Sequence, residues 1–197
     1  MARRTGFALG AGLCLICLAL VGCTLVSSGS ASESTLPVQA TPQSSPVVSL
    51  DPRLKAALPA LQEVSIPVRL PPSLEAFSAL TQEPLYVTVI NATADDYDLA
   101  ITLMADCQAH ACMVGHLIGK KVTSAGDQGT PVPLTGGVTA SYVPPVCGAN
   151  CSDAELGWVE NGIRYAVTAR GEDVDLLKAV ATAMLSTTPI DVHNLPG

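Results

Sequence analysis

Leu156-Gly157-Trp158-Val159-Glu160-Asn161-Gly162-Ile163-Arg164-Tyr165-Ala166-Val167 is the stretch that decides the fold class. Two strand-like runs flank Asn161-Gly162, and that dipeptide supplies the two positive φ angles of a type I′ turn. The spacing predicts a hairpin, with Trp158, Glu160, Ile163 and Tyr165 as candidates for cross-strand contact. A helix is expected next, over 172–185. Glu172, Asp173 and Asp175 fall in its first turns, where the positive end of the helix dipole favours acids. Val174, Leu177, Val180, Ala181 and Met184 recur at helical spacing and form the stripe expected to pack on the sheet. Pro189 keeps the helix from running much further.

Working outward toward the N-terminus, five more strands are legible. They cover 85–90, 97–104, 113–122, 132–134 and 138–143, with Gly136-Gly137 separating the last two. Before them, Asp51 can cap a short helix over 53–61 with Pro52 at its first position, and Pro59 should end or bend it. A short strand is expected over 66–70, stopped by Pro71-Pro72, and one or two helical turns over 73–80. Short helices, then hairpin-linked strands, then a terminal helix indicate an α+β fold. The expected architecture is an antiparallel β-sheet packed against a C-terminal helix and short N-terminal helices, with the other sheet face left for solvent or a partner.

The first residues carry an address. Arg3 and Arg4 precede an apolar run over 7–21, and small Gly22 precedes Cys23. This is the order of a secretory signal. Leu20-Val21-Gly22-Cys23 resembles the lipobox of bacterial lipoproteins, which implies cleavage before Cys23, lipidation of that cysteine and a membrane anchor. The organisation expected is a signal peptide over 1–22, a lipid-anchored flexible linker over 23–47 and a single α+β extracytoplasmic domain over 48–197. Two other processings fit the residues: an uncleaved span over the uncharged 6–26, and cleavage near Ser30-Ala31-Ser32. All three place most of the chain outside the cytoplasm. Residues 24–47 are rich in Ser, Thr, Pro and Gln without periodicity, and as a coil would reach about 25–30 Å.

Charge narrows the partners. The net charge is −7, and loss of 1–22 leaves 8 basic against 17 acidic side chains, a balance of −9. That argues against nucleic acid, whose phosphates need clustered Lys and Arg. Of seven cysteines, Cys14 and Cys17 fall in the signal and Cys23 at the anchor. The even remainder, Cys107, Cys112, Cys147 and Cys151, reads as two disulfides in an exported chain. Three pairings are open. The local ones, Cys107–Cys112 and Cys147–Cys151, are preferred, the first closing a hairpin between two strand-like runs. Loops this short gain about 2 kcal/mol each in the chain-entropy model. Zinc is the rival use of these cysteines, with His110 nearby, but structural zinc sites show a tighter knuckle.

Trp158-Val159-Glu160-Asn161-Gly162-Ile163-Arg164-Tyr165-Ala166-Val167, followed by Arg170-Gly171-Glu172 and Leu176-Leu177-Lys178, resembles a C-terminal pattern of small α+β domains of unknown function in bacterial envelope and sporulation proteins. It covers about 30 residues, and some relatives of that shape resemble the open half-barrel of lipoprotein carriers and sigma-regulator partners. No functional residue transfers from it.

The chain shows no catalytic, cofactor or metal motif. Asp95, Asp96 and Asp98 form an acidic knot after Asn91, but EF-hand spacing fails because position five is Ala100 and position twelve Cys107. A solvated turn is the expected state. His110 is expected in an exposed loop and His116 in a strand, neither with a nucleophile or carboxylate motif partner. Asn91-Ala92-Thr93 matches a glycosylation sequon, which bacterial-type export makes accidental. No phosphate-loop Lys follows Gly136-Gly137. The expected function is that of a non-enzymatic envelope lipoprotein, a binding or accessory module held to the membrane by its lipid. Its partner is an envelope protein, peptidoglycan or an apolar ligand, and no cofactor is expected. The alternative is an enzyme or ligand carrier whose site assembles only in space.

Overall fold

The computed structural model describes residues 49–107, 109–123 and 129–195. The expected signal over 1–22 and linker over 23–47, with Cys23, lie outside the described residues.

Asp51 caps the first helix, α1 (Pro52–Ala57), by accepting from Arg53 N at 2.9 Å, and Pro52 stands in its first turn. Pro59 then tightens the chain into a 3₁₀ turn over Leu58–Leu61. A single helical turn, α2 (Glu75–Ser78), precedes the strands. These are β1 (Tyr86–Thr93), β2 (Asp96–Thr102), β3 (Met113–Lys121), β4 (Thr130–Pro133), β5 (Thr139–Val143), β6 (Ala154–Glu160) and β7 (Ile163–Ala169). Helix α3 (Val174–Ser186) follows them. The strands form one antiparallel sheet in the order β1-β2-β3-β7-β6-β5-β4. The class is α+β. Two meanders, β1-β2-β3 and β4-β5-β6-β7, meet along the β3–β7 seam. Asn161 and Gly162 close the last hairpin with φ of 52° and 76°.

Three expectations change. Residues 66–70 contribute only a bridge between Val68 and Ile190, because Pro67 and Pro71 have no N–H to sustain a ladder. Helix α3 starts at Val174, because Asp173 turns out of the helix to accept from Leu176 N at 3.0 Å. Leu176 consequently replaces Val174 in the buried stripe with Leu177, Val180, Ala181 and Met184. Strand β2 ends at Thr102, and Leu103 N instead donates to Cys112 O across the mouth of the first disulfide loop.

The register sorts the side chains onto two faces. Tyr97, Leu99 and Ile101 on β2, Leu117 on β3, Tyr165 and Val167 on β7, and Leu156 and Trp158 on β6 belong to one hydrophobic core with Phe77, Leu177 and Met184. Trp158 lies opposite Tyr165 with ring centroids 5.7 Å apart. The alternate residues, among them Asp98, His116, Thr168, Glu155 and Arg164, line the second face.

Arg69 ties the core together. Its guanidinium makes a two-pronged contact with Glu160, Nε to Oε2 at 2.9 Å and Nη2 to Oε1 at 2.7 Å. Its Nη1 donates to the Met184 and Thr187 carbonyls at the end of α3, and the group lies 5.7 Å from the Tyr165 ring centroid. Tyr97 Oη accepts from Arg69 N at 3.0 Å and donates to Arg69 O at 3.1 Å. Burial pushes the Tyr97 hydroxyl far above the ordinary phenol range, so it stays protonated as a donor. Tyr165 Oη donates to Pro67 O at 3.0 Å, and burial pushes its pKa up to about 12. Two buried phenols and one guanidinium thus fix the irregular 66–70 segment that lacks a ladder of its own.

Candidate functional site

The register brings five chain breaks to one end of the sheet: the end of β2, the start of β3, the end of β5, the start of β6 and the end of β7. Both cysteine loops lie there. Cys107–Cys112 spans the β2–β3 connection, and Cys147–Cys151 spans the approach to β6. Both local pairings are present, so neither set of sulfurs is available as thiolate ligands. The second loop is closed again by Ser152, whose hydroxyl accepts from Val146 N at 2.9 Å and whose N–H donates to Val146 O at 3.0 Å.

Side chains fasten the loops to each other. His110, inside the first loop, places Nε2 3.1 Å from Asp153 Oδ1, just beyond the second. Arg170, one residue past β7, donates from Nη2 to His110 O. Tyr142 donates to Glu172 O at 3.3 Å, holding β5 to the same rim. Between these groups opens a cleft of about 310 Å³, lined by His110, Asn150, Asp153, Arg170 and Glu172 together with the second disulfide. Two cationic or cation-forming donors and two carboxylates share it, so it offers hydrogen-bond donors and acceptors side by side.

A second histidine sits just inside the sheet. His116 Nδ1 lies 2.8 Å from Asp98 Oδ1, and the hydrogen bond to that carboxylate raises the imidazole pKa above its usual 6.5, with Asp153 adding to the effect. Across the β3–β7 seam, His116 faces Thr168, and Thr168 faces Glu155 on β6. Thr168 is 92% buried, and its hydroxyl has no hydrogen-bond partner among the described residues. The contact between nucleophile and base that acyl transfer would require is therefore not made. Glu155 is instead held by Arg164, whose guanidinium lies over Gly157 where any Cβ would collide with it.

The remaining sequence candidates fall elsewhere. Asp95 is in the β1–β2 turn and pairs with Lys121 at 3.2 Å, while Asp96 opens β2 and accepts from Asn91 and Thr93. The knot therefore splits: two acids serve the turn and Asp98 serves His116. Asn91 lies in β1, and Gly136-Gly137 forms the turn between β4 and β5 with positive φ at both residues. Sequence reading gave the two histidines no carboxylate partners, and the structure supplies one to each. Asp98 was within reach of a hairpin argument, since Ala100 pairs with His116 and Asp98 is one diagonal step away. Asp153, Arg170 and Thr168 had no local signal, because strand order alone brings them to the histidines.

Among the described residues no helix is long and apolar enough to cross a membrane. No family model, no curated protein and no solved structure matches the chain.

Proposed function

We propose that this chain is an extracytoplasmic binding module, held to a membrane by lipid on Cys23 and standing off on the 23–47 linker, and that it engages a protein partner through the disulfide-braced cleft. The observation that carries this reading is the cleft's construction. Two disulfides, the His110–Asp153 contact and the Arg170–His110 bond stiffen a rim of exposed polar groups. Rigid polar rims lose little ordering entropy on association and suit a peptide chain, which carries donors and acceptors alike. Paired cysteines also fit an oxidising compartment outside the cytoplasm.

The other readings have less support. Ligand carriage wants room between helix and sheet, and Trp158, Tyr165, Leu177 and Met184 fill that space at 2% exposure or less. Enzymatic turnover is favoured by the Asp98–His116 pair beside Thr168, but lacks the hydroxyl-to-imidazole contact.

Photo-crosslinking in intact membranes tests the proposal. A photoreactive residue at Asn150, on the cleft rim, is expected to give a discrete protein adduct in the full-length chain. The same residue at Asn161, at the far end of the sheet, is expected to give none. Equal adducts from both positions, or glycan-bearing adducts from Asn150, would overturn the assignment. Mass spectrometry of the mature N-terminus tests the anchor independently, since an unmodified terminus beyond Ala31 excludes lipid on Cys23.

A further inference from the structure

The two disulfides stand at the same end of the sheet and are built differently. Cys107 and Cys112 are buried, at 2% and 8% exposure, and the Cys112 carbonyl accepts from Leu103 N at 2.9 Å, so the first bridge is continuous with the sheet. Cys147 and Cys151 are both exposed, as is every other residue of 146–152. The backbone bonds of that loop close on the loop itself: Gly148 N donates to Asn150 O at 3.0 Å, and Ser152 N to Val146 O at 3.0 Å. None of residues 146–152 belongs to the hydrophobic core. The loop meets the rest of the rim at the next residue, Asp153, through His110. Breaking the second bridge therefore releases a short loop and leaves the sheet and its core in place.

Position adds to exposure. The second bridge forms part of the wall of the cleft of about 310 Å³, where an attacking group can reach it, and Arg170 lies in the same wall. A guanidinium keeps its charge throughout the working pH range, and a nearby cation stabilises the thiolate that leaves when a disulfide is attacked. Asp153 is engaged by His110, so Glu172 is the cleft carboxylate left to oppose that charge. We infer that Cys147–Cys151 is a thiol-exchange site, reduced by a dithiol while Cys107–Cys112 stays closed. A thiolate of the dithiol attacks one sulfur of the pair, the bond between Cys147 and Cys151 breaks as a mixed disulfide forms, and the other cysteine leaves as a thiolate that takes a proton from solvent. The second thiol of the dithiol then gives up its proton and attacks the mixed disulfide. The dithiol ends oxidised to a disulfide, and Cys147 and Cys151 end as thiols. Exchange with a small dithiol needs no bound protein, so it stands or falls apart from docking at the cleft: a bridge that opens selectively while Asn150 gives no adduct would keep the exchange site and remove the docking reading.

Differential alkylation of the full-length chain in detergent at neutral pH decides this. Dithiothreitol is the dithiol probe, reduced glutathione at equal thiol concentration is the monothiol control, and peptide mapping reads which cysteines become alkylated. Dithiothreitol is expected to open Cys147–Cys151 at least about tenfold faster than Cys107–Cys112, since access to the sulfurs governs the rate. Hydrogen exchange of the reduced chain is expected to rise over 147–151 and to stay unchanged in β6 and β7. Glutathione is expected to leave the pair mostly closed, because the freed cysteine, held four residues away, expels the monothiol again. Opening of both bridges at one rate, or of Cys107–Cys112 first, would overturn the inference. So would loss of protection throughout the sheet on reduction, or equally complete opening by glutathione, which would remove the requirement for a dithiol.

Discussion

The Arg69–Glu160 pair at 2.7 Å and the His116–Asp98 pair at 2.8 Å are alike in length and differ in what surrounds them. Arg69 is buried, and its other donors end on carbonyls of α3 while its backbone is gripped by Tyr97. Each of those partners comes from a different part of the chain, so the pair holds the fold together. His116 lies on the opposite face, beside a hydroxyl with no partner and close to a cleft. An ion pair in this domain is therefore read by its reach: Arg69 joins Glu160, the end of α3 and Tyr97 of β2, whereas His116 and Asp98 join only the neighbouring strands β3 and β2.

The comparison breaks first at Arg69. Arg69→Met is expected to cost about 4 kcal/mol, because it leaves Glu160 without its partner and takes the guanidinium donor from Thr187 O, while Met184 O keeps its bonds from Thr187. Denaturant unfolding of the full-length chain in detergent measures it, and a loss below about 1 kcal/mol would remove the clamp from the architecture. Leu177→Ala follows at about 3 kcal/mol, from lost transfer energy and the cavity left between α3 and the sheet. Leu177 is fully buried, so an unchanged midpoint would mean that α3 is not part of the cooperative unit.

All seven strands were legible as local patterns, because alternation and turn residues act within ten or so positions. Asn161-Gly162 is the clearest case, and the β1–β2 turn at Asp95 follows the same rule. The stripe on α3 was legible apart from Leu176, which depends on where Asp173 ends the cap. What stayed hidden was the strand order. Placing β7 beside β3 puts Thr168 against His116, and placing the cysteine loops at one end puts Asp153 against His110, 43 residues away in sequence. Arg69 and Glu160 are 91 residues apart. Nothing in either local sequence distinguishes a clamp from a solvated charge, since burial, which makes the difference, is a property of the assembled sheet.

The smallest effect sharpens the comparison most, because it depends on pH. Asp98 raises the pKa of His116, so the folded state binds the imidazole proton more tightly than the unfolded state, whose ordinary value is 6.5. The pair's contribution is therefore complete below pH 6.5, while Asp98 stays ionised, and is lost as pH rises through the higher folded value. His116→Gln keeps a hydrogen-bonding side chain next to Asp98 and removes the titration. It is expected to cost about 1 kcal/mol near pH 6 and almost nothing near pH 9, because a partly exposed charge-assisted bond is worth about that much. Asp98→Asn should give the same profile, since it removes the other half of the interaction. Arg69→Met should show no such slope across this range, because a guanidinium keeps its proton throughout. Unfolding curves at the two pH values separate the cases. An equal loss at both would mean that His116 contributes by packing alone, and the two pairs would then differ in degree of burial and not in kind.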